Sequence, residues 1–97
     1  MLRHTVVFRL KHPAGSAAEQ EFLEAAREIA SIPGVERFEC LRQISTKNAF
    51  TFGLSMEFAD AFAYQCYCAH PDHERFVQER WLPEVADFLE IDYAPLS

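Results

Sequence analysis

The stretch Ala49-Phe50-Thr51-Phe52-Gly53-Leu54-Ser55-Met56-Glu57-Phe58 reads as a β-strand of unusually regular alternation. Successive strand side chains point to opposite faces, so Phe50, Phe52, Leu54, Met56 and Phe58 share one side and Thr51, Gly53, Ser55 and Glu57 the other. The apolar side must face a helical layer, while the small, polar side is left open. The rest of the chain has to supply the covering helices and the neighbouring strands.

Upstream, Leu2 to Leu10 keeps the same period, with His4, Val6, Phe8 and Leu10 opposite Arg3, Thr5, Val7 and Arg9. Lys11-His12-Pro13-Ala14-Gly15 is a turn in which His12 reads as a solvated loop residue. Ser16 is a good cap for a helix running to about Ile32, with Phe22, Ala25, Ala26, Ile29 and Ile32 as its stripe. Pro33-Gly34 stops that helix. Val35 to Ile44 is a second strand, and Ser45-Thr46-Lys47-Asn48 forms a hairpin-like loop into the third.

Downstream, Asp60 caps a short helix to about Ala69. A longer helix opening at Pro71 is expected to continue through Phe76, Val77, Trp81, Val85 and Phe88, kinked or split at Pro83. Trp81, Phe76 and Phe88 read as core aromatics at helical spacing. Leu89-Glu90-Ile91-Asp92-Tyr93 is a last short strand. The order β-α-β-β-α-β predicts an α+β, ferredoxin-like protomer: an antiparallel four-stranded sheet with helices on one face. Val7, together with either Phe38, Cys40 and Ile44 or Val35 and Leu41, leaves apolar area on the open face, so a homodimer is expected.

The 97 residues make one domain, 1–97, too short for separate cofactor and substrate domains. Half are apolar and a quarter charged, as in globular proteins. A net charge of −6 without a Lys/Arg cluster argues against nucleic acid. No run of about 18 apolar residues and no secretory leader are visible, so neither membrane insertion nor export is expected, and the location reads as cytoplasmic. Cys40, Cys66 and Cys68 match neither a redox pair nor a zinc pattern and read as reduced thiols.

Chemistry concentrates in Tyr67 and His70-Pro71-Asp72-His73-Glu74. Pro71 suits a first helical turn, and Asp72 favours the positive end of the helix dipole. His73 then sits where unpaired N–H groups disfavour a second positive charge, which leaves its imidazole neutral and able to accept a proton. The plainer reading makes His70 a cap and His73 a half-buried packing residue. His4, Tyr67 and His73 are expected to border one cavity, suited to a small apolar ligand with a carbonyl or phenol. His70, Asp72, His73 and Glu74 are all potential metal ligands, but their spacing at a helix start implies no metal site. No nucleophile motif or phosphate loop is present, and no cofactor is expected.

Three segments look familiar together: Leu2-Arg3-His4-Thr5-Val6-Val7-Phe8-Arg9-Leu10, Tyr67-Cys68-Ala69-His70-Pro71-Asp72-His73 and Ile91-Asp92-Tyr93-Ala94-Pro95. They resemble the Dabb family, the stress-responsive dimeric α+β barrel domains. The resemblance implies a protomer whose sheet packs against its twin to close a barrel. Most members have no assigned reaction, yet the family includes olivetolic acid cyclase-like polyketide cyclases, which perform a cofactor-free aldol condensation. Carried over, their catalytic His falls on His73, their Tyr on Tyr67 and a pocket His of the first strand on His4. A further pocket His corresponds to Phe52 here, which removes a polar group and narrows the cavity. The expected site is therefore His73 and Tyr67 as catalytic residues, with His4, Phe52 and His70 contacting substrate. The competing expectation is a non-catalytic stress-response or assembly protein acting as a homodimeric scaffold.

Overall fold

The computed structural model describes residues 1–97. Its strands are β1 (Leu2–Leu10), β2 (Glu36–Arg42), β3 (Phe52–Phe58) and β4 (Val85–Tyr93), antiparallel in the spatial order β2-β3-β1-β4. Helix α1 (Ala17–Arg27) ends in a 3₁₀ turn over Glu28–Ser31. Helix α2 (Ala61–Ala69) is followed at once by α3 (Pro71–Phe76). The chain then runs through a π-helical turn over Val77–Trp81 into the single turn α4 (Leu82–Glu84). The split βαβ order and the ferredoxin-like sheet are as expected.

The alternating residues of β1 and β3 build the core. Val6, Phe8, Leu10, Phe52, Leu54, Met56 and Phe58 are buried against Phe22, Ala26, Ile29 and Ile32 from the α1 side. Phe8, Phe22, Phe58 and Met56 lose essentially all contact with solvent, each contributing about 1.5–3 kcal/mol of hydrophobic stabilisation. The helices start where their caps stand: Ser16 Oγ accepts the Glu19 N–H at 3.2 Å and Asp60 Oδ1 accepts the Ala63 N–H at 2.8 Å. Gly34, at φ 92°, makes the turn out of the α1 unit that a side chain would strain.

The C-terminal third departs from expectation. Val85 and Phe88 belong to β4, not to a long helix, so β4 begins four residues earlier than the sequence pattern implies. Pro83 sits in the last helical turn. Its ring and missing N–H are incompatible with an α-helical carbonyl at Glu79, and the preceding π-helical turn absorbs the mismatch. Phe88 is consequently not core: it is 46 % exposed, although its ring meets Trp81 edge-on at 5.5 Å. Strands β2 and β3 are shorter than predicted, and Arg37, at φ 51°, marks an irregularity that shifts the β2 register between Glu36 and Glu39.

The register decides which residues of β2 face outward. Cys40 pairs with Leu54 and so points to the helices, whereas Leu41 pairs with Gly53 on the open side. Val35, Phe38 and Cys40 pack on the core. Continuing across the sheet, Gly53 pairs with Val7 and Val7 with Leu89. An apolar row, Leu41-Gly53-Val7-Leu89, therefore crosses the uncovered face.

His12 is also not the free loop residue expected. Its Nε2 lies 2.7 Å from Glu84 Oε1, and the Lys11 N–H donates to the Glu84 carbonyl at 2.9 Å. The β1–α1 turn is thereby tied to the end of α4.

Candidate functional site

Where the helical layer thins toward β4, a cavity of about 180 Å³ opens between the layers. His4, Val6, Leu54 and Met56 form its floor on the sheet. Tyr67, His73, Phe76, Val77 and Trp81 form its roof, and Phe88 and Glu90 of β4 form its edge. The edge is open because α4 ends at Glu84, so no helix covers the inward side of β4. Phe88 and Glu90 are both exposed.

Tyr67 reaches this space from the last turns of α2 and is buried. The Pro71 break then turns the chain so that His73, in the first turn of α3, lies against it: the two ring centroids are 4.4 Å apart, at 52°. His73 Nδ1–H donates to the Cys68 carbonyl at 3.1 Å, since a carbonyl can only accept. The tautomer follows: Nε2 carries the free lone pair. Burial pushes the His73 pKa below its ordinary value, and nearby His4 pushes in the same direction; the Cys68 hydrogen bond and the Glu90 charge oppose them without prevailing. His73 is thus a neutral base at pH 7. Tyr67 is raised well above the ordinary phenol value, mainly by burial, and is a phenol that donates rather than a phenolate.

His4 completes the group from β1. It is 7 % exposed, and its Nδ1–H donates to Asp92 Oδ1 at 2.6 Å. Its ring lies 6.3 Å from that of Tyr67 and 5.1 Å from that of Tyr64. His4, Tyr67 and His73 are therefore brought together. His70 and Phe52 are not part of the lining. His70 caps α3, its Nδ1 accepting the Asp72 N–H at 3.1 Å. Phe52 packs its ring 5.8 Å from that of Phe8, beneath the Arg42 guanidinium.

Two residues of the site escaped the sequence reading, Asp92 and Glu90. Both belong to β4 and reach the site because β4 pairs with β1, His4 opposite Asp92 and Val6 opposite Glu90. The only available signal was their i, i+2 spacing on a short apolar strand. No three His, Cys, Asp or Glu side chains are grouped as metal ligands. A larger concavity, about 620 Å³, lies between α1 and α3 and is lined by Glu28, Asp72, Arg75, Glu79 and Arg80 among others. Neither Tyr67 nor an imidazole borders it, so the smaller cavity is the better candidate for chemistry. No helix is long and apolar enough to cross a membrane.

A four-stranded antiparallel sheet, helices on one face and a cavity between the layers define a ferredoxin-like α+β protein. Residues 2–95 match the stress responsive A/B barrel domain, Dabb, and the chain belongs to that family. It is 30 % identical over 95 residues to a stress-response A/B barrel domain-containing protein of Arabidopsis thaliana; that alignment takes in 96 % of this chain and 36 % of the plant protein. The chain thus spans about a third of the length of that relative. A Dabb family protein from Mesorhizobium loti, of ferredoxin-like fold, is 57 % identical, with a TM-score of 0.96 over 99 % of this chain and 97 % of its own. A dimeric ferredoxin-like protein from Thermobifida fusca shares the fold at 19 % identity, TM-score 0.79, over 97 % and 90 % of the two chains. So does a hydroxynitrile lyase from Passiflora edulis at 14 % identity, TM-score 0.85, over 99 % and 94 %.

Proposed function

We propose that this Dabb domain is a homodimeric, cofactor-independent enzyme that moves protons on a small carbonyl or phenolic compound, in the manner of a polyketide cyclase. The observation that carries the reading is the neutral His73, its Nδ1–H held by the Cys68 carbonyl and its ring against Tyr67 beside the cavity. In this reading His73 Nε2 removes a proton α to a carbonyl, Tyr67 donates to the developing oxyanion, and His4, held by Asp92, orients the substrate. The volume sets the scale of that substrate. A dry cavity of about 150 Å³ accommodates benzene, so about 180 Å³ matches one ring or a short diketone rather than a long polyketide chain. That a hydroxynitrile lyase is built on the same fold supports the scaffold as a host for catalysis. Dimeric proteins of the same fold and the apolar row on the open face support the homodimer. The unpaired cysteines fit a reducing, cytoplasmic setting.

Hydrogen–deuterium exchange at the α-carbon tests the reading and does not depend on the identity of the natural substrate. Small ketones and β-diketones in D₂O are followed by proton NMR with the wild-type chain and with His73→Ala. Exchange should be catalysed by the wild type and fall about 10²–10⁴-fold in the variant. Equal rates for the two proteins would defeat the enzyme reading. The second reading, a non-catalytic dimeric scaffold, is favoured by the apolar row itself, whose burial needs no reaction.

A further inference from the structure

Glu90 is the one charged group of the cavity that no function described above employs. It sits at the open edge, on the inward side of β4 between Phe88 and Asp92. Asp92 is engaged with His4, whereas no Lys, Arg or His forms an ion pair with Glu90. Its charge nevertheless reaches inward, favouring the protonated forms of His73, Tyr67 and Tyr64. An uncompensated carboxylate at the mouth of an apolar recess concentrates negative potential over the entrance, because the low-dielectric walls screen it poorly. Selection by charge then follows from repulsion as much as from attraction.

We propose that Glu90 is a specificity-determining residue that makes the cavity prefer small aromatic or carbonyl ligands bearing an ammonium group and exclude those bearing a carboxylate. The inference rests on the small-molecule reading of the cavity and deepens it by naming the ligand class. The apolar lining of Val6, Leu54, Met56 and Trp81 takes the ring, the Tyr67–His73 pair meets its oxygen, and Glu90 meets a cation at the rim. Since Glu90 is exposed, the preference is modest and sensitive to salt.

The test uses three probes of nearly equal shape: 4-hydroxybenzylamine, 4-hydroxybenzyl alcohol and 4-hydroxybenzoate. Their binding to the full chain is measured by NMR titration at low and high salt, for wild type, Glu90→Gln and Glu90→Lys. In the wild type the amine should bind roughly three- to fivefold more tightly than the alcohol, and the benzoate more weakly than the alcohol by a similar factor. Glu90→Gln should compress the three affinities together, with the dispersion of its amide spectrum reporting an intact fold. Glu90→Lys should reverse the order. Binding of the alcohol with an amine preference that persists in Glu90→Gln overturns the Glu90 assignment alone. Failure of all three probes on the wild type overturns the small-molecule reading, and this inference with it.

Discussion

The Nδ1–H of His73 is committed to the carbonyl of Cys68, five residues earlier and across the Pro71 break. One contact therefore fixes the tautomer and helps hold the half-buried ring against Tyr67. It exists because α2 ends at Ala69 and α3 starts at Pro71, which brings a last-turn carbonyl of one helix over a first-turn side chain of the next.

A pH dependence of stability follows from the lowered His73 pKa. The unfolded chain takes up the proton near the ordinary value of 6.5, the native state only at lower pH. The stabilisation is thus complete above that value and is lost as pH falls through the native pKa, with a slope of at most about 1.4 kcal/mol per pH unit. Urea midpoints of wild type and His73→Gln, compared between about pH 7.5 and about pH 5, should converge as pH falls. A difference that stays constant would contradict the neutral, half-buried imidazole.

The His4–Asp92 contact predicts a stability effect larger than its surface position implies. Asp92 is partly exposed, yet its carboxylate satisfies a donor on a residue that is 7 % exposed. Asp92→Ala strands that donor, at about 1–3 kcal/mol. For a chain of this size the melting temperature should fall by about 4–8 °C for each kcal/mol. Asp92→Asn, whose amide oxygen can still accept, should recover most of the loss. Equal melting temperatures for Asp92→Ala and wild type would show that the contact contributes nothing.

Glu84 is a second hidden anchor. It meets His12 at 2.7 Å and lies 2.9 Å from Arg80 Nε, an ion pair by distance although the N–H direction makes no hydrogen bond. Glu84→Ala releases both partners and leaves the Arg80 Nε buried without its counter-charge, so a loss of about 1–3 kcal/mol is expected in chemical denaturation. Hydrogen exchange should also accelerate at the Lys11 amide, which donates to the Glu84 carbonyl. Unaltered protection at Lys11 would mean that the side-chain contacts do not hold the turn.

Local pattern was enough to read most of the sheet and little of its far edge. In β1 and β3 every second residue is buried, so a period of two was visible before any partner strand was known. The start of β4 was hidden because Trp81, Val85 and Phe88 fall at helical spacing. What ends the helix is pairing of Val85 with Leu10, a contact between residues 75 positions apart. Distance in sequence likewise separates what was legible in the site from what was not. Tyr67 and His73 stand out beside Pro71, whereas Glu90 and Asp92 acquire their roles only through the β1–β4 register. His12 failed as a loop residue for a like reason, its partner Glu84 lying at the far end of the helical layer.

The open face of the sheet yields the sharpest prediction about assembly. Leu41, Gly53, Val7 and Leu89 fall in one register row, and Leu41 and Leu89 remain 45 % and 50 % exposed in the protomer. A Cβ added at Gly53 would meet nothing nearer than the Val6 carbonyl at 3.5 Å, so the protomer itself does not require glycine there. A two-fold interface on this face repeats every substitution in both subunits. Leu89→Lys would therefore bury two ammonium groups without partners, raising the dimer dissociation constant by at least about a hundredfold. Sedimentation of the variant should give a monomer with native far-ultraviolet dichroism, because the helix-facing core is untouched. Glu24→Gln, exposed on α1 at the opposite side of the protomer, serves as the control and should leave the dimer intact. A dimeric Leu89→Lys protein would move the interface to another surface and remove the barrel from the reading of this chain.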